Sequence, residues 1–488
     1  MIPLLRSPFL SALAAGALMV LTLTLPGIAG AQFSLISPEQ EKQMGAEEHP
    51  KVIGQFGGVY DNVQIGGYVA EIGGRLASHA DLPGTSFTFT VLNTPVVNAF
   101  ALPGGYVYVT RGLVALTNDE AELAGVIAHE IGHVVARHTA QRYSRSVLAQ
   151  LGAGILGAVT NNADLGRLAE VGSGLYLSSF SREQEYESDS FGVKYLQAAG
   201  YDPNAMASFL AALDGQSKLE AAMANQKGSG GLDSLFATHP RTPARIERAN
   251  ELAAGSEGER RRNRHFEQIS GMMHGDDPNQ GIIDGRRFLH PDMGFAFEVP
   301  EGFRLVNSAA AVMAASNGNG AIRFDIETGQ LSSTDPATYL QRQWVKNTQL
   351  RNVERVTINN MPGATATARV QGQLGDYKGD VDARFVAVRW PNGKMYRLLF
   401  LSIPNRTQNL SAGFQRTTYS LRQLTEAEAK AVQPLKLDIV TLRAGDTQES
   451  LAARFPFPDF RVERFRALNG LQPGEMPPPG VRVKVVTR

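Results

Sequence analysis

His129-Glu130-Ile131-Gly132-His133 sets two imidazoles four residues apart with a carboxylate between them. On an α-helix, side chains four apart share a face, so both rings can take corners of one tetrahedral zinc site. Glu130, beside the first ring, is placed for a general base that activates water. The chain has no cysteine, so any metal must be held by His, Asp or Glu. A third ligand is needed, and the stretch Ser181 to Asp189 offers two acidic pairs at spacing four: Glu183 with Glu187, and Glu185 with Asp189. In either pair one carboxylate can ligate while the other accepts the ring N–H of a ligating histidine and so fixes its tautomer. Spacing alone leaves the two pairs open.

Two helices must carry these groups. Leu123, Val126, Ile127, Ile131 and Val134 form an apolar stripe at helical spacing through LAGVIAHEIGHVVARH, and Thr117 with Glu120 reads as a capping box at its start. Ser181 with Gln184 starts a second helix, continued by Phe191, Tyr195, Leu196 and Ala199 up to Gly200 as its C-terminal stop. His138 lies five residues beyond His133, so it points elsewhere and reads as structural. Ser86 to Thr110 alternates in period two around Pro-Gly-Gly, a short strand region, and Val147 to Ala158 reads as a buried or lid helix.

The stretch SREQEYESDSFG resembles the SRxxExxADxxG segment of zinc metallopeptidases of the HtpX, BepA and Oma type, and the resemblance covers most of residues 35 to 250. It implies that Glu185 is the third ligand and Asp189 the supporting carboxylate, with one zinc ion per chain. A further motif, Thr238-His239-Pro240 followed by Arg245-Ile246, also matches. It implies an active-site His239, which either occupies the open zinc position at rest or stabilises the oxyanion, with Arg245 in support. Asn98, Ala99 and Phe100 open a segment similar to the family's edge strand, where an extended substrate would pair by main-chain hydrogen bonds.

Around this unit the chain reads as multidomain. Residues 1–31 read as a signal peptide, with an apolar run from Phe9 to Leu25 and cleavage after Ala29-Gly30-Ala31, the alternative being an uncleaved anchor. Residues 32–254 form a mainly helical α+β unit that holds the motifs. Residues 255–285, rich in glycine and charge, read as a linker, with Glu259 to Arg264 as a solvated helix end. Residues 286–425 read as an antiparallel-sheet α+β unit, with strands near Phe295–Val299, Ala321–Glu327, Ala364–Val370, Asp382–Trp390 and Met395–Ile403, and a helix from Ala337 to Gln349; it resembles the PsbP-like fold. Residues 435–488, with Ala444-Gly445-Asp446-Thr447 and Asn469-Gly470-Leu471, resemble a LysM βααβ domain interrupted by Phe455-Pro456-Phe457-Pro458. LysM modules bind N-acetylglucosamine glycans such as peptidoglycan. The alternative for this copy is a structural remnant.

Lys plus Arg and Asp plus Glu both number 47, so net charge points to no nucleic-acid partner. The expected function is a zinc-dependent endopeptidase of the periplasm that cleaves misfolded or misassembled envelope proteins. Three protein ligands would leave one corner for water, with Glu130 taking its proton. Two alternatives stand beside it: a chaperone or assembly factor working with the outer-membrane assembly machinery under restrained proteolysis, and a peptidoglycan hydrolase.

Overall fold

The computed structural model describes residues 36–82, 84–142, 144, 179–227, 239, 243–316, 319–331 and 333–488. The expected signal segment and the apolar helix expected over 147–158 lie outside the described residues.

In the N-terminal body α1 spans Pro38–Gln55, α2 Val63–Ala77, α3 Arg111–Leu116 and α4 Glu120–Val135. After these come α5 (Arg182–Ala198), α6 (Ala205–Lys227), α7 (Pro243–Ala253) and α8 (Arg262–Ile269). Helix α4 carries the two motif histidines, and every residue from Glu120 to Val134 is buried, so it is the axis on which the other elements pack. Its N-cap is Asp119, whose carboxylate accepts from the Glu122 N–H at 2.9 Å. The expected Thr117–Glu120 box does not form, because the Thr117 hydroxyl closes α3 by donating to the Val114 carbonyl at 2.9 Å. An aspartate at this position both caps the helix and favours its positive end. The helix ends at Ala136, and Arg137 then turns the chain in the left-handed region, φ 54°.

Helix α5 begins with the expected Ser181–Gln184 capping box and is followed by Gly200 at φ +79°. It crosses α4 closely because the crossing residues are small. A Cβ on Gly132 would meet the Phe191 Cβ at 3.0 Å and the Ser188 Cα at 3.2 Å, and one on Gly192 would lie 3.5 Å from the His129 nitrogen.

Strands β1 (Thr88–Leu92), β2 (Ala99–Leu102) and β3 (Tyr106–Thr110) form a sheet in the order β1-β3-β2, so β2 is an outer strand. Alternation sends Phe100, Leu102 and Tyr108 towards Val52 of α1, while Ala99, Ala101, Val107 and Val109 join the core around α4.

The middle body contains β5 (Ile282–Asp284), β6 (Arg287–His290), β7 (Phe295–Glu298), β8 (Arg304–Asn307), β9 (Val312–Ser316), β10 (Gly320–Ile326), β11 (Arg351–Ile358), β12 (Met361–Leu374), β13 (Tyr377–Arg389), β14 (Met395–Ser402) and β15 (Arg422–Gln423). These form an antiparallel sheet ordered β11-β12-β13-β14-β10-β9-β8 and a second one ordered β15-β7-β6-β5. The helix expected from Ala337 to Gln349 is shorter, one turn over Pro336–Tyr339 that widens into a π-turn over Leu340–Trp344. A helix absent from the sequence reading, Thr407–Ser420, seats Phe414 in the core.

The C-terminal module is a β-α-α-β unit. Strand β16 (Leu435–Thr441) pairs antiparallel with β17 (Arg482–Thr487), and two helices, Gln448–Ala452 and Arg461–Asn469, lie between them in sequence. Strand β16 also pairs with β4 (Met273–His274) from the stretch read as a linker. That stretch is built into the core, since His265, Phe266 and Ile269 of α8 are buried. The arginine run that leads into the first turn of α8 is not a solvated end. Arg260 donates to Asp119 at 2.8 Å, and Arg264 to Glu120 at 2.8 Å and Glu71 at 2.7 Å, so the run neutralises the acidic start of α4.

Candidate active site

Helices α4 and α5 aim four side chains at one point. The Nε2 atoms of His129 and His133 lie 3.0 Å apart, and each is 3.6 Å from an oxygen of Glu185. His239, reached after α6, brings its Nδ1 to 2.9 Å from Glu185 and 3.3 Å from the His129 Nε2. One ligand atom from each of His129, His133, Glu185 and His239 lies within 4.8 Å of all the others, and all four residues are buried. Donors held about 2.0–2.2 Å from a tetrahedral zinc ion stand about 3.3–3.6 Å from one another. The donor set therefore fits zinc in chemistry and in size.

The far side of the His129 ring is held as well. Asp189 Oδ1 lies 3.0 Å from Nδ1 of His129, and Arg245 donates to Asp189 in fork geometry at 2.8 and 2.7 Å. Arg245 also reaches Glu185 at 2.5 Å. The Nε2 of His129 is thereby left facing the centre. The acidic pair that spacing left open resolves to Glu185 and Asp189, which are wholly buried, whereas Glu183 and Glu187 lie on the outer side of α5.

Glu130 is 1% exposed, and among the described residues neither of its oxygens has a hydrogen-bond partner. A buried carboxylate without donors is costly unless it serves something that enters the site. His239 Nε2 is its neighbour at 3.5 Å. Burial raises the Glu130 pKa, with the charges of His239 and His129 pulling against it. For Glu185 burial works in the same sense, but the His239 charge and hydrogen bonds from His133 and His239 outweigh it and hold the carboxyl well below its ordinary value. Burial drives the His133 pKa well down, which keeps the ring neutral, as a metal ligand must be.

The contacts of three residues were not legible in the spacing. His138 does not point away: its Nδ1 lies 2.8 Å from Nδ1 of His133, and its Nε2 lies 3.1 Å from Glu187. The helix has ended before it, and the left-handed Arg137 folds it back, so the helical argument does not apply. Phe180 stacks on the His133 ring at 3.8 Å between centroids, and the Arg142 guanidinium lies 3.8 Å over the Phe180 ring. Neither residue belongs to an apolar period. Of the segment expected to meet substrate, Ala99 and Phe100 lie on the outer strand β2, where Phe100 faces α1, and Asn98, 2% exposed, donates its N–H to Thr110 at 3.0 Å.

The model of peptidase family M48 matches residues 65–253. The beta-barrel assembly-enhancing protease of Escherichia coli (strain K12) is 32% identical over 244 residues, 47% of this chain and 48% of its own length. The mitochondrial metalloendopeptidase OMA1 of Schizosaccharomyces pombe is 30% identical over 230 residues, 45% of this chain and 63% of its own. The chain thus spans about half the length of the first of these relatives. Among solved structures, cyanobacterial PsbP from Synechocystis sp. PCC 6803 matches 28% of this chain and 91% of its own at 15% identity, with a TM-score of 0.23, too low to assign the fold of the middle body. The family match spans both motif helices and His239, and it contains the four converging side chains. Over residues 65–253 the chain is similar to peptidase family M48, and that stretch carries the whole of the candidate metal site.

Proposed function

We propose that the chain is a zinc-dependent endopeptidase of the cell envelope, acting on misfolded or misassembled proteins. The observation that carries this reading is the convergence of His129, His133 and Glu185 beside a buried Glu130 that has no hydrogen-bond partner among the described residues. A bound zinc ion supplies Lewis-acid polarisation of the attacking water and of the scissile carbonyl. Glu130 accepts the proton of that water and returns it to the leaving amine, a role its burial and raised pKa suit. Asp189 and Arg245 hold His129 and Glu185 in register. Strand β2, the outer strand beside α4, offers its free edge at Ala99 and Phe100 to an extended substrate, while Asn98, whose N–H and carbonyl are both bonded to Thr110, anchors the start of that strand.

Support for misassembled envelope protein as substrate comes from the relative named for β-barrel assembly, and from the sequence character of residues 1–31. Among the described residues no helix is long and apolar enough to cross a membrane. The β-α-α-β order of residues 435–488 supports a LysM-like module with peptidoglycan as its partner. A second reading, proteolysis restrained so that the protein works chiefly as an assembly factor, is favoured by one observation: His239 Nδ1 lies 2.9 Å from Glu185 and 3.3 Å from the His129 Nε2, within reach of the fourth corner.

The test is metal removal and return. Protein stripped with a chelator should lose casein cleavage and regain it with one zinc equivalent per chain. Cleavage that persists in fully metal-free protein overturns the reading.

A further inference from the structure

The C-terminal module sends one side chain into the N-terminal body. Lys484, on β17, is wholly buried, and its ammonium donates to the carbonyls of Ala115 at 2.9 Å, Leu116 at 2.8 Å and Thr117 at 2.8 Å. These are the last two carbonyls of α3 and that of its C-cap Thr117, which carry partial negative charge and have no partner within the helix. Three acceptors use all three N–H bonds of the ammonium. Burial pulls the Lys484 pKa well down, opposed by Glu122 and Asp119. The backbone of Lys484 is itself pinned, since Asn469 accepts from its N–H at 2.8 Å and donates to its carbonyl at 2.9 Å.

The segment that Lys484 grips leads directly into α4. Thr117 is followed by Asn118, whose N–H donates to Glu122 at 2.7 Å, and by the cap Asp119. Arg262 ties the same segment to the module, donating to the carbonyls of Asn118 and of Arg482, each at 3.2 Å. Apolar packing continues across the seam: Leu437, Phe465, Val483 and Val485 share one core with α2 and α4. Phe455, from the insertion that departs from the LysM pattern, is 2% exposed in that same core. An appended glycan reader on a tether would need none of these contacts.

We propose that the C-terminal module is a fixed part of the peptidase body, and that Lys484 is a positioning residue that sets the height and tilt of the zinc helix through residues 115–118. His129 lies ten residues along α4 from Asp119, about 15 Å of stiff helix, so a shift at the cap is carried to the ligands. A misplacement of about 1 Å at a reacting centre costs about a hundredfold in rate. The inference rests on the metallopeptidase reading of the site.

The test uses Lys484→Met in the full-length chain, which keeps the apolar stem and removes the three donors. With zinc saturating and active sites counted, kcat on a short peptide should fall at least tenfold while KM stays within twofold of wild type; a purely structural loss would lower the folded fraction and leave kcat per active site unchanged. Lys484→Arg, which keeps charge and donors, should recover part of kcat. A folded Lys484→Met with wild-type kcat overturns the proposal. Amide exchange on the metal-free wild type is a second arm that needs neither a variant nor activity. Residues 115–122 and 482–486 should open as one unit, and independent opening overturns the proposal. Wild type without zinc-dependent cleavage would sink the functional reading alone, because the exchange arm still decides whether the module is fixed to the helix.

Discussion

Asp189→Asn isolates what the carboxylate behind His129 contributes. The wild-type side chain is buried, lies 3.0 Å from Nδ1 of His129 and receives two hydrogen bonds from Arg245 at 2.7 and 2.8 Å. Asparagine keeps the volume but loses the charge that fixes the ring's tautomer and raises the basicity of Nε2. Outer partners of this type are worth about 10–100-fold in metal affinity, which is about 1.4–2.8 kcal/mol at 1.4 kcal/mol per factor of ten. The fold should suffer less than from deleting Arg245, because Arg245 still contacts Glu185 at 2.5 Å and is not left as an unpaired buried charge, a defect that costs about 3–5 kcal/mol. Competition for zinc against a chromogenic chelator, run beside thermal melting, separates the two effects. The expectation is zinc binding weakened 10–100-fold in a variant that still melts cooperatively. Affinity within twofold of wild type in a folded variant would refute the account of Asp189.

Three further outcomes are expected. His239→Ala should raise casein cleavage several-fold if the fourth corner restrains the enzyme, and a fall in kcat would instead assign His239 to the oxyanion. Gly132→Ala should push α5 away from α4 by a few tenths of an ångström against Ser188 and Phe191, costing about 1–3 kcal/mol in chemical unfolding and weakening zinc binding with it; a neutral result on both counts contradicts the close-crossing argument. His265, buried between Tyr68 and Thr117, has its pKa pushed down by burial to about 3, so below pH 6.5 the unfolded chain takes a proton that the folded one refuses. Stability should therefore fall as pH drops from 6.5 towards 3, by about 1.4 kcal/mol per pH unit for this one group, and His265→Gln should remove that part of the slope in denaturation curves.

The reacting groups were the most legible part of the chain, because HExxH and the acidic pair depend only on helical periodicity, and both helices formed where their periods ran. The choice of Glu185 over Glu183 is not legible in the spacing, which is the same in both pairs; it comes from the resemblance of SREQEYESDSFG to the SRxxExxADxxG segment, and the packing of α5 on α4 buries that same pair. His138 was misplaced because a single left-handed residue, Arg137, ends the helix before it. The arginine run was misread for a related reason. Its partners Asp119 and Glu120 lie about 140 residues away in sequence, and no local pattern pairs them. The linker was misjudged because His265, Phe266, Ile269 and Met272 are too few to stand out among glycines and charges. Strands of the middle body were visible as alternation, but their order across the sheet was not.

In the proposed mechanism Glu130 moves the proton at a zinc site built by its helix neighbours and Glu185. Glu130→Gln, which keeps shape and removes the base, should retain one zinc per chain by elemental analysis and melt like wild type, while casein cleavage falls by at least a hundredfold. Cleavage at the wild-type rate in the zinc-loaded variant would contradict the account.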